Sequence, residues 1–107
     1  MTSARGIRFD LSKVSFDEYG RALVLDRETA GQIHRMLETA DAIACQSGCG
    51  LPLACDSALI QRDELTQIGP KLLINNADFA AIIRKRKAVD ARDVVIVFDA
   101  YQRVDAA

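Results

Sequence analysis

Three cysteines and one histidine are the side chains best suited to metal or thiol chemistry in this chain of 107 residues. Cys45, Cys49 and Cys55 all lie in the stretch CQSGCGLPLAC (45–55), separated by three and five residues. Zinc and iron–sulfur sites take four ligands, held on turns loose enough for backbone amides to approach the sulfurs. Gly48 and Gly50 suit such a loop, and His34, the sole histidine, completes a Cys₃His set. It precedes Cys45 by eleven positions, a separation of ~16 Å along a helix, so the loop must fold back or the site must be shared across a dimer. The paired C-x-x-C spacing that marks a zinc knuckle is missing.

Thiol redox chemistry is the competing expectation. Cys55 sits just before Ser57, an expected helix start whose N-terminus favours a thiolate, while the neighbouring Asp56 opposes it. The third reading is structural: free cysteines are small, soft and often buried. A Cys–His dyad through His34 finds no local support, and no catalytic residue is assigned. Asp63, Glu64, Asp90, Asp93 and Asp99 read as solvated caps and strand ends rather than an isolated acid–base pair.

The other charged feature is RKRK (84–87). Four consecutive helical positions spread around the axis, with only Arg84 and Lys87 sharing a side. A helix-turn-helix over 65–86 would need a short turn, whereas GPKLLINN is long and apolar, and Asp78 at the start of the second helix repels phosphate. Fourteen basic residues stand against fifteen acidic ones, for a net charge of -1. That balance lacks the basic excess of a dedicated nucleic-acid binder. No stretch approaches the roughly 20 apolar residues that span a bilayer, and no secretory signal pattern is visible at the start of the sequence. The expectation is a cytoplasmic protein without membrane contact, with its cysteines reduced.

These residues must be positioned by a small framework, expected to be one α+β domain over residues 1–107 without internal repeats. Ile7, Phe9 and Leu11 alternate with polar neighbours as in a half-buried strand, and the apolar phase shifts at Val14 and Phe16. DEYG (17–20) then turns the chain into RALVL (21–25), so an N-terminal β-hairpin is predicted. Apolar residues at Ala30, Ile33, Leu37, Ala40 and Ala44 predict a long amphipathic helix over 27–44, capped by Asp26. After the Cys/Gly loop, Ser57 is expected to start a short helix reaching Gln67, ended by Gly69-Pro70. KLLI (71–74), a helix over 77–88 capped by Asn75 or Asn76, and the β-branched strand DVVIVFDAY (93–101) complete the chain. The C-terminal half is therefore expected to be a βαβ-like unit or, alternatively, helical over 57–88, ending in a buried strand.

The functional expectation is a small accessory or interaction protein without catalysis of its own, acting as a homodimer or on a protein partner. The metal, iron–sulfur or thiol-redox protein is the alternative, and nucleic-acid binding through Arg84–Lys87 the third.

Overall fold

The computed structural model describes residues 4–38, 40–47 and 56–101. Its elements, in order, are β1 (Ala4–Asp10), β2 (Val14–Phe16), β3 (Ala22–Val24), α1 (Arg27–Glu38), β4 (Ala42–Ser47), β5 (Asp56–Gln61), β6 (Leu65–Ile68), β7 (Lys71–Ile74), α2 (Ala77–Ala88) and β8 (Asp93–Tyr101). Single 3-10 turns at Leu11–Lys13 and Arg62–Glu64 join β1 to β2 and β5 to β6. The architecture is α+β, with two antiparallel four-stranded sheets ordered β1-β8-β4-β5 and β2-β3-β7-β6.

The two halves of the chain repeat one pattern of strand, turn, two strands, helix and strand. A shift of 51 positions carries Arg8 onto Leu59 and Ala44 onto Val95, and the pair Arg8–Val95 becomes Leu59–Ala44, which is the register observed. The same shift turns Phe9–Val94 into Ile60–Ile43. In the second sheet, Val14–Val24 has its counterpart in Leu65–Ile74, and Leu23 pairs with its own counterpart Leu73. The helices match as well: both have 12 residues, and each buries an Ala and an Ile at equivalent places, Ala30 and Ile33 in α1, Ala80 and Ile83 in α2. The molecule is an internal pseudo-two-fold dimer. Few letters are shared between the halves; what repeats is the apolar period.

The halves are interlocked rather than juxtaposed. β1 pairs with β8 from the other half, and β5 pairs with β4. Alternation sets Ile7, Phe9, Ile43, Cys45, Ala58, Ile60, Ile96 and Phe98 on the inner face of the first sheet, all buried. Phe9 is central: its ring lies 5.8 Å from that of Phe79 on α2, edge-on, and 5.8 Å from Phe98, stacked, in the geometries that ring quadrupoles favour.

Several expectations require correction. DEYG does turn β2 into β3, but the strand through Ile7 and Phe9 belongs to the other sheet, so the N-terminal hairpin is β2–β3 alone. The first helix ends at Glu38 rather than 44, and Ala42–Ser47 is strand; Ala40 and Ala44 fit both periods. The helix expected over 57–67 is instead β5, a 3-10 turn and β6, with Ala58 and Ile60 buried at strand spacing. The C-terminal half is not helical throughout 57–88, since 56–74 is mostly strand, and it is not a parallel βαβ unit either, because β7 and β8 lie in different sheets. The strand over 71–74, the helix over 77–88 and the strand over 93–101 are present as expected, but β8 is buried on one face only, leaving Val95 and Val97 exposed on the other. No helix among the described residues is long and apolar enough to cross a membrane.

Because each outer strand is hosted by the opposite half, a peptide of residues 56–107 should be unfolded by far-UV circular dichroism, while mixing it with residues 1–55 should restore strand signal.

Candidate functional site

Cys45 lies on the inner face of β4, fully buried, with its thiol pushed up to about 12 by removal from water. A buried thiol of that kind is neither a nucleophile nor a ready metal ligand. Cys49 and Cys55 lie outside the described residues. His34 is on the exposed side of α1, where its Nδ1 stands 3.5 Å from Glu38 Oε1. The structure therefore separates Cys45 from His34, one inside the core and one on the surface. Among the described residues, no group of three or more His, Cys, Asp or Glu is placed to hold a metal ion.

The RKRK run is engaged within the fold. Arg84 Nη2 donates to the Gly20 carbonyl at 2.6 Å, and Lys87 Nζ donates to the Val14 carbonyl. Between them lies the ring of Phe16, 4.6 Å from the Arg84 guanidinium carbon and 5.7 Å from Lys87 Nζ, an attraction of cations to the negative face of the ring. Lys85 reaches Asp56 at 3.1 Å. These side chains bind the β2–β3 hairpin and β5 to α2. Gly20 is the necessary counterpart: its φ is +80°, and a Cβ there would stand 2.5 Å from Arg84 Nη2.

A hollow of about 760 Å³ gathers Asp10, Asp26, Asp90 and Asp93 with Arg8 and Lys87. Three of its four carboxylates are already occupied. The Ser12 hydroxyl holds Asp10 below the ordinary carboxylate range, and the Thr29 hydroxyl does the same for Asp26. Arg8 pairs with Asp93.

The pseudo-symmetric sheet edges differ in how they are finished. On β5, Asn76 Nδ2 donates to the Leu59 carbonyl at 2.8 Å, and Glu64 Oε1 accepts from the Gln61 amide at 2.8 Å. Asn76 also caps α2, its Oδ1 accepting from the Phe79 amide at 2.9 Å. On β1 the counterparts of Asn76 and Glu64 are Asp26 and Lys13. An ionised aspartate has no proton to donate and a lysine cannot accept one. The Arg8 carbonyl and Asp10 amide accordingly have no side-chain cap among the described residues, and since Leu11 donates to Arg92 across the sheet, the even-numbered residues of β1 turn their backbone groups outward.

No family model, no curated protein and no solved structure matches this chain. Asn76 caps α2 as expected, while Phe16 and Gly20 carry structural roles that the sequence did not single out. The apolar phase shift at Phe16 and the turn letters around Gly20 were their only local marks.

Two outcomes follow from this geometry. In a Cys49→Ser/Cys55→Ser variant, Cys45 should resist a thiol reagent in the native state and react only on unfolding. Arg84→Ala should lower unfolding free energy by about 1–2 kcal/mol in a denaturant titration, and Gly20→Ala by roughly 1–3 kcal/mol, with retention on a polyanion resin unchanged in both.

Proposed function

We propose that this protein is a small non-enzymatic interaction protein that works as a homodimer, two copies joined edge to edge through β1. The open edge of β1 carries this reading. A strand edge with unpaired backbone groups is a template for another strand, and on its pseudo-symmetric partner β5 Asn76 and Glu64 cap one carbonyl and one amide. Two copies of β1 running antiparallel about Ile7 would pair Arg8 with glycine, so like charges would not meet directly opposite. The outer face beside this edge carries two exposed valines, Val95 at 54 % and Val97 at 41 %, next to the Arg8–Asp93 pair.

Light scattering coupled to size exclusion should report a dimer at micromolar concentration. Arg8→Pro removes an outward amide without breaking the ladder to β8, and should give a folded monomer. A wild-type protein that is monomeric throughout this range would refute the dimer, and a dimer that persists in a folded Arg8→Pro variant would refute the edge.

A further inference from the structure

Every ladder of the first sheet joins one half of the chain to the other: β1 to β8, β8 to β4, and β4 to β5. In the second sheet β3 joins β7 across the same divide. What each half keeps for itself is local, the β2–β3 or the β6–β7 hairpin and the cap of its own helix. Two-stranded ribbons of that size are marginal in water.

The side chains follow the same rule. Phe9 of the first half meets Phe79 and Phe98 of the second. Arg84 and Lys87 reach back to the carbonyls of Gly20 and Val14, and Arg62 Nη2 donates to the Ala40 carbonyl at 2.7 Å. The interior is thus an interface between two halves, and the link over residues 48–55 makes them one molecule. A second copy of the chain carries the same two surfaces. An assembly that exchanges halves repeats each of these ladders and ring contacts and needs no new one, so concentration decides between the two forms. A short link holds its ends at an effective concentration on the order of millimolar. The closed chain therefore prevails at micromolar concentration, and exchange competes near millimolar.

We propose that the interior face of each half is a docking surface for a second copy of this chain: residues 4–47 of one copy assemble with residues 56–101 of another, and reciprocally, in a closed two-fold dimer of two complete folds. The exchange does not depend on edge pairing, since β1 is an edge strand in either form. The two kinds of dimer differ in lifetime. Edge pairing re-equilibrates on dilution, whereas an exchanged dimer separates only when both folds open.

The test uses the full chain carrying Arg8→Pro, so that edge pairing does not contribute. Refolded from guanidinium at micromolar concentration, it should be monomeric by light scattering. Refolded at millimolar concentration and then diluted, part of it should stay dimeric for hours, and become monomeric only after a second cycle of unfolding and dilute refolding. Complementation supplies an independent readout. Phe9→Asp spoils the first half and Phe98→Asp the second, and neither chain should fold alone with a charge in the core. Refolded together at high concentration, the two should recover roughly half of the wild-type far-UV signal, because the sound first half of one meets the sound second half of the other. Monomer alone from both refolding concentrations would overturn the proposal. So would a dimer that falls apart on dilution without denaturant, or a mixture of the two variants that recovers no signal.

Discussion

Everything in this fold depends on the exchange of outer strands between its two halves. β1 finds its backbone partners on β8, and β5 finds its own on β4, so the first sheet exists only when both halves are present. The second sheet adds a direct junction, β3 against β7. Isolated two-stranded ribbons are marginal in water; joined in this way they become two four-stranded layers with a common core. Phe9 illustrates the gain, since an N-terminal side chain touches aromatic rings on α2 and β8 together.

On that symmetric frame the chain places asymmetric chemistry. Asn76 and Asp26 both begin a helix, and both offer an oxygen to it, but only the amide has protons left for a neighbouring strand. That single difference caps the Leu59 carbonyl on one sheet edge and leaves the Arg8 carbonyl on the other without a side-chain donor among the described residues. The clefts beside the helices behave alike: Phe16 with Arg84 and Lys87 makes a sealed joint, while at the equivalent place Gln67 with His34 and Leu37 borders an open hollow. The pseudo-two-fold supplies two equivalent positions, and a few different side chains make the members of each pair unlike.

How much of this was legible in the sequence varied with the source of order. α2 was readable because Asn76 caps it and its apolar residues keep a helical period, and β8 because DVVIVFDAY favours extended backbone on its own terms. Residues 57–67 were not. Their Ala, Leu, Gln and Glu suit a helix, and Ser57 resembles a cap, yet pairing with β4 imposes the strand period that Ala58 and Ile60 satisfy. Ala40 and Ala44 prolonged the apparent first helix because small residues fit either period. Cys45 was misplaced for a related reason: composition put it in a glycine-rich loop, whereas pairing puts it on a buried strand face. The repeat escaped notice because it is written in apolar spacing and hydrogen-bonding capacity rather than in residue identity.

The position of β8 also bears on synthesis. It lies between β1 and β4 in the first sheet, although both precede it in the chain. A growing polypeptide therefore exposes β1 and one side of β4, with the apolar face of Phe9 and Ile43, until nearly all of the described chain has been made. Such long-range closure is slow and leaves unpaired strands open to association. The nascent chain thus has an interval in which neighbouring copies on one message compete with its own β8 for the same edge.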